Sequence, residues 1–83
     1  MNLYKISQDV NDNYDTYDSA VVVAETEDKA RKIHPSEYEQ QWDGTTNLYS
    51  SWTAIENVQV EYIGIAALGL QPGTIICSSF NAG

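Results

Sequence analysis

Basic residues are scarce in this chain, which has 4 Lys and Arg residues against 12 Asp and Glu residues among 83 positions. The formal net charge is −8, and three of the bases stand close together at Lys29, Arg31 and Lys32. Direct binding to nucleic acid is not expected, because so few bases cannot neutralise a row of phosphates. The electrostatic complement is a basic partner, since opposite potentials raise the rate of encounter. The alternative is that excess acid only keeps a small protein in solution.

Cysteine and histidine, which often act as nucleophiles, bases or metal ligands, are also scarce, with one residue of each. Cys77 is the single cysteine, so no intrachain disulfide can form, which is typical of a reducing compartment. Its apolar surroundings, TIICSSF, predict a buried and inert thiol. His34 is the single histidine and precedes Pro35, which favours a structural or exposed group over a catalytic one. The sequence has no Gly-rich phosphate loop, metal-ligand cluster or nucleophile motif, so neither an enzyme nor a cofactor is expected.

Long apolar runs are absent as well. The longest, Ile63 to Leu70, is far shorter than the ~20 residues that span a bilayer. The first ten residues lack the apolar region of a signal peptide. We therefore expect a soluble cytoplasmic protein without a membrane partner, and the length predicts a single domain over residues 1–83.

The most strongly patterned stretch of the chain runs from Ser19 to Pro35. Its apolar run Ala20–Ala24 predicts a strand. Thr26 is a predicted helix N-cap, with its hydroxyl placed to accept from a backbone N–H of the first turn. The helix that follows has acids first and bases last, and it should end at His34, because proline disfavours helix at the residue before it.

Other patterns complete the fold prediction. Further strands are predicted at Leu3–Ser7, Val58–Ile63 and Thr74–Phe80, and Gln71-Pro72-Gly73 predicts a type II turn. Short turns should pair each hairpin antiparallel, so the last two strands should pair with each other. The predicted class is α+β: a two-layer domain with an antiparallel sheet of about four strands in the chain order β-β-α-β-β. The helix and an irregular aromatic segment should cover one face of that sheet.

The connection between the first two strands, Gln8 to Asp18, is rich in acid and has no base. Its acids are Asp9, Asp12, Asp15 and Asp18. Asn and Asp are turn formers, so we predict a solvated hairpin loop. A calcium-binding loop is the alternative prediction, because Asp9, Asn11, Asn13 and Asp15 have the spacing of the first four EF-hand ligands. The sixth position is Tyr14 and the twelfth is Ala20, where that loop requires Gly and Glu.

The irregular segment Ser36–Asn57 holds four of the aromatic residues: Tyr38, Trp42, Tyr49 and Trp52. In a small domain such residues more often fill the core than bind a ligand. Trp52 is predicted to lie in the core. Trp42 is predicted as a surface anchor, with Asp43 and Tyr49 beside it on a partner-binding surface.

Three stretches of the chain resemble a class of short proteins from phages and mobile elements: LYKISQ, YDTYDSAVVVAETEDKARKIHP and TIICSSFNAG. The resemblance covers about half of the chain and implies no catalytic residue. It implies a context, because small acidic proteins of that origin often inhibit host defence. Some of them are anti-CRISPR proteins that occupy a nucleic-acid-binding surface.

Three hypotheses for the function follow. The leading one is a non-enzymatic inhibitor in the host cytoplasm, which binds a basic, nucleic-acid-handling protein through Asp9, Asp12, Asp15, Asp18, Trp42, Asp43 and Tyr49. The second is a protein that sequesters a small ligand such as a cyclic nucleotide, with Trp42 or Tyr49 stacking the base and Lys29, Arg31 or Lys32 holding phosphate. The third is a phage assembly protein that forms a homo-oligomer through Ile63 to Leu70, where exposed leucines would need a cover.

Overall fold

A computed structural model describes residues 1–39, 42–45 and 50–81 of the chain. It contains strands β1 (Asn2–Ser7), β2 (Thr16–Ala24), β3 (Gln59–Ile65) and β4 (Ile75–Asn81). Within the described residues there is one α-helix, α1 (Glu27–Arg31), and there are 3-10 helices at Glu37–Glu39 and Ile55–Asn57. This is an α+β architecture made mostly of sheet, which confirms the predicted class and chain order.

The strands form one antiparallel sheet in the order β3-β1-β2-β4. β1 pairs with β2 and β3, and β4 pairs with β2. The predicted pairing of the last two strands is therefore wrong, because β3 and β4 occupy opposite edges. These edges lie three strand spacings apart, or ~14 Å. The connection over residues 66–74 is long enough to cross that distance, so its turn does not close a hairpin.

Two local details of the edge strands agree with the sequence. Gly73 has φ of 89°, and the Thr74 N–H donates to the Gln71 carbonyl at 3.2 Å, as a type II turn requires. The register between β1 and β3 shifts at Ile63, next to Gly64. This is a β-bulge, the irregularity that a glycine inside a strand commonly marks.

Helix α1 begins with the predicted cap. Thr26 has an extended backbone, and its hydroxyl accepts from the Lys29 N–H at 3.2 Å. The helix ends at Arg31, earlier than predicted. The next two N–H groups bond to carbonyls three positions back, at 3.2 and 3.1 Å, so the last turn is tightened. Such tightening fits a chain that must leave the helical conformation before Pro35.

The core lies on the face of the sheet that α1 covers. Its buried members are Tyr4, Ile6, Ala20, Val22, Ala24, Ala30, Trp52 and Val58. Alternate residues of β1 and β2 supply five of these eight side chains, since successive side chains of a strand point to opposite faces. Trp52 is the largest fully buried side chain, which confirms its predicted place in the core.

The opposite face of the sheet is largely open. Lys5 and Glu61 stand opposite each other in the β1–β3 register and are both exposed. Cys77 stands opposite half-buried Val21 and is exposed, so the prediction of a buried thiol is wrong. Cys77 lies on the face of the sheet that is not covered by α1, which explains the error. Val23 is the exception on this face, being fully buried.

Candidate functional site

The acidic loop, residues 8–15 between β1 and β2, is built around the side chain of Gln8, which is 5% exposed. Its Oε1 accepts from the N–H groups of Val10 at 2.9 Å and Asn11 at 2.7 Å. Its Nε2 donates to the carbonyls of Asn11 at 2.7 Å and Tyr17 at 2.9 Å. All the hydrogen-bonding capacity of the amide is therefore used. The loop is folded around one buried amide, rather than being only solvated as the sequence predicts.

Asn11 connects the acidic loop to the aromatic segment. Its Nδ2 donates to the carbonyl of Trp52 at 2.7 Å and to that of Ser50 at 3.2 Å. The carbonyl of the core tryptophan therefore holds the middle of the loop. Any movement of the loop backbone has to break bonds to a segment that is packed in the core.

The end of the acidic loop is fixed to β4. Buried Thr16 donates from its hydroxyl to the Asn13 carbonyl at 2.5 Å. The Asp15 N–H donates to the Asn81 carbonyl at 2.5 Å. Asp15 has φ of 61°, a left-handed conformation that Asp and Asn tolerate better than most residues. The loop is thus held at its start, its middle and its end.

The four predicted carboxylates project from this fixed backbone and are all exposed. Three are in the acidic loop and the fourth is on β2: Asp9, Asp12, Asp15 and Asp18. None of them pairs with any of the four bases of the chain. Among the described residues, Lys29 forms an ion pair with Glu25 at 2.7 Å, and the His34 ring lies 3.0 Å from the Glu39 carboxylate. The structure therefore holds an ordered and uncompensated negative surface. No group of three His, Cys, Asp or Glu side chains in the described chain is arranged to hold a metal ion.

The predicted anchor Trp42 is half-buried and packs against the core. Its ring meets that of His34 edge-on, with centroids 5.6 Å apart, and its Nε1 donates to the Thr45 carbonyl at 2.8 Å. Asp43 is exposed and accepts from the Thr45 hydroxyl at 2.6 Å and its N–H at 3.0 Å, which lowers the pKa of Asp43. Both residues thus form an ordered turn. Tyr49, the other predicted member of this surface, lies outside the described residues.

The three clustered bases have three different environments. Lys29 forms an exposed ion pair with Glu25 and lowers the pKa of that carboxyl. Arg31 donates to the carbonyl of Val58 and so ties α1 to the residue before β3. Lys32 is exposed and lines a shallow pocket with Trp42. Of the predicted ligand-binding residues that the structure describes, it therefore brings together only Lys32 and Trp42.

The pocket beside Lys32 is small. Its volume is about 180 Å³, below the roughly 300–1,000 Å³ of typical small-molecule sites. Asp43, Gly44 and Ile55 complete the lining. The Asp43 carboxylate would repel the phosphate that Lys32 was predicted to hold.

His34 is buried at the meeting point of the helix end and the aromatic segment, with 4% of its surface exposed. Its Nδ1 accepts from the Ser36 N–H at 3.0 Å, and its Nε2 lies 3.0 Å from the Glu39 carboxylate. This pattern fits a neutral ring with its proton on Nε2. Burial lowers the pKa of His34, and the Glu39 charge opposes that effect. His34 is therefore a buried group that links the helix end to the aromatic segment, and the sequence-based alternative of an exposed side chain is wrong.

The apolar stretch Ile63–Leu70 keeps several side chains in solvent. Ile63, Ile65 and Leu68 are exposed, and Leu70 is half-buried. Among the described residues, the side chains of Ile63, Ile65 and Leu68 thus remain accessible. The stretch is available to a partner, as the third hypothesis requires.

Comparisons of this chain with protein-family models, with curated proteins and with solved structures found no match. No helix among the described residues is long and apolar enough to cross a membrane.

Proposed function

We propose that this protein binds a basic surface of a partner protein through the acidic loop and Asp18. The observation that supports the proposal is the ordered set of four exposed carboxylates, none of which is paired with a base of this chain. Because Gln8, Asn11 and Thr16 already fix the backbone, little further ordering is needed on binding. Uncompensated charge also raises the rate of association and makes it sensitive to salt.

The partner surface on this proposal is one that normally binds nucleic acid. Such a surface is rich in Lys and Arg and is arranged to contact successive anions along a phosphate backbone. A row of carboxylates on a rigid loop can occupy the same cations and exclude the nucleic acid. The resemblance to short phage proteins favours a defence complex of the host among such partners, which would make the protein an inhibitor.

The test compares two variants that lose the same amount of charge. The first replaces the four loop and β2 acids by Asn, which retains a residue type that tolerates the backbone conformation of Asp15. The control replaces four exposed acids elsewhere: Glu27→Gln, Asp28→Asn, Glu56→Gln and Glu61→Gln. Each protein is used to capture partners from host lysate at low and at moderate salt, with native mass spectrometry of the eluate.

We expect the unaltered protein and the control to recover a basic nucleic-acid-handling protein at low salt, and the loop variant to lose it. Recovery should fall as salt rises, since the contacts are between exposed charges. Equal recovery by the loop variant would overturn the proposal, because the loop would then not be the binding surface. Equal loss from both variants would show that only the total charge matters.

A second candidate, capture of a nucleotide, has one observation in its favour, which is that Lys32 and Trp42 line the same pocket. It ranks second because the pocket is small and contains Asp43. Thermal unfolding in the presence of nucleotides, cyclic ones included, tests it. A shift that is lost in Lys32→Gln and kept in Lys29→Gln would support this function. The absence of any shift would exclude it.

A further inference from the structure

The two edges of the sheet differ in charge. β3 carries exposed Glu61, and charged side chains on an edge strand discourage pairing with another chain. β4 has no charged residue and no proline over its seven positions, Ile75–Asn81. Each strand has an irregularity in its register, so bulges do not distinguish them. In the described part of the chain β2 is the only strand that pairs with β4, so the outer edge of β4 has no strand neighbour there.

We propose that β4 pairs antiparallel with the β4 strand of a second copy of this chain. The pairing joins two four-stranded sheets into one continuous sheet of eight strands across a two-fold axis. A basic partner is attracted by carboxylates and gains no charge contact from β4. The neutral strand is suited to another acidic molecule, because two copies can meet there without bringing like charges face to face. This inference does not depend on the proposed function.

The net charge of −8 also fixes the orientation of the two strands. The acidic loop is attached to the Asn81 end of β4 through the Asp15 N–H. In an antiparallel pair the two loops lie at opposite ends of the seam, roughly 20 Å apart for strands of this length. The Debye length at physiological salt is ~8 Å, so the separation exceeds two Debye lengths. The repulsion between the two loops is therefore largely screened. A parallel pair would place the loops side by side.

A pocket beside β4 favours a register centred on Ser78. The pocket has a volume of about 310 Å³, and its lining combines Tyr17, Tyr38 and Ile76 with polar residues that include Ser78. Tyr38 is 89% exposed, and Ile76 and Phe80 are each 46% exposed. In that register Phe80 of the second copy stands opposite Ile76, at the mouth of the pocket. Pairing therefore covers apolar surface as well as the open backbone of β4.

The single cysteine allows a direct test on the intact chain. Cys77 is exposed on β4, so a spin label at this position reports on β4 alone. We expect sedimentation to show a dimer and the two labels to lie within roughly 20 Å, since the paired residues are in adjacent strands. Ser78→Lys places like charges across the two-fold axis and should weaken the dimer at least tenfold. The matched control is Leu68→Lys, at an exposed position in the connection between β3 and β4, which should leave the dimer unchanged.

Three results would overturn the inference. One is a monomer at all concentrations up to the millimolar range. Another is a dimer whose Cys77 labels are more than roughly 30 Å apart, as expected when two sheets meet at their β3 edges. The third is a dimer that Leu68→Lys dissociates and Ser78→Lys does not, which would assign the interface to the Ile63–Leu70 stretch. Circular dichroism of each variant shows whether its fold is retained.

Discussion

The two faces of the sheet are built from the same strands and differ in what covers them. On one face Tyr4, Ile6 and Val22 are buried beneath Trp52 and α1. On the other face the residues between them in the strands are mostly half or fully exposed. The difference teaches that alternation in a strand gives two possible faces, and the segments packed against the sheet decide which one becomes the core. Substitutions should therefore have large effects on the covered face and small effects on the open one.

The largest effect is expected from Trp52→Ala in the covered face. Removing a buried tryptophan costs about 3–5 kcal/mol of unfolding free energy, against a total of roughly 4–12 kcal/mol for a domain of this size. Trp52→Phe should cost less, because the Trp52 Nε1 is buried without a hydrogen-bond partner among the described residues. Urea unfolding followed by circular dichroism measures both. A Trp42→Ala variant with an equal loss would contradict the ranking, since Trp42 is only half-buried.

The next effect is expected from Gln8→Ala at the start of the acidic loop. The change removes four hydrogen bonds from a buried side chain and should lower the unfolding free energy by about 2–3 kcal/mol. The amides of Val10 and Asn11 should also exchange faster with solvent. Gln59→Ala, at an exposed position on β3, is the control and should change stability by less than about 0.5 kcal/mol. Unchanged exchange at both amides would mean that Gln8 does not hold the loop.

A smaller effect is expected from the protonation of His34. Burial lowers its pKa in the folded protein from 6.5, so the unfolded chain takes up the proton first as pH falls. Stability of the unaltered protein should therefore decrease as the pH falls below about 7.5 and through the lowered pKa of His34. Glu25 and Asp43 have pKa values lowered from 4.5 and 3.8, so their effects begin at lower pH. Urea midpoints of His34→Gln should depend less on pH over this range, and an identical dependence would contradict the assignment.

The smallest effect is expected on the open face. Lys5 and Glu61 stand opposite each other there, and an exposed cross-strand pair contributes about 0.2–1 kcal/mol. A double-mutant cycle with Lys5→Met and Glu61→Gln measures this coupling. A loss well above that range would show that this face is covered in solution.

The elements of the fold could be predicted because their signals are local. The strand at Ala20–Ala24, the Thr26 cap and the turn at Gly73 each depend on a few neighbouring residues, and each is found in the structure. The strand order could not be predicted in this way. It depends on β3 pairing with β1, far away in the chain, and no local signal in residues 66–74 reveals a crossing. The exposure of Cys77 could not be predicted either, since it depends on which face of the sheet is covered.

In the candidate site, too, local features could be predicted from the sequence and long-range contacts could not. The four Asp residues were found from composition, because an acidic segment without a base is visible in the sequence. The order of their loop was not found, since it depends on the buried amide of Gln8 and on contacts from Asn11 to Trp52. A Gln after a strand carries no pattern that distinguishes a buried amide from an exposed one.

The strand order has a consequence for the synthesis of the chain on the ribosome. β1 and β2 lie at the centre of the sheet but are made first, while both of their outer neighbours come from residues 59–81. The first hairpin therefore emerges with both outer edges unpaired and with Ile6 and Val22 uncovered. Contacts between residues so distant in sequence also slow folding. β2 keeps an open edge until β4 has been translated, and during that interval a chaperone or a neighbouring nascent chain can bind it.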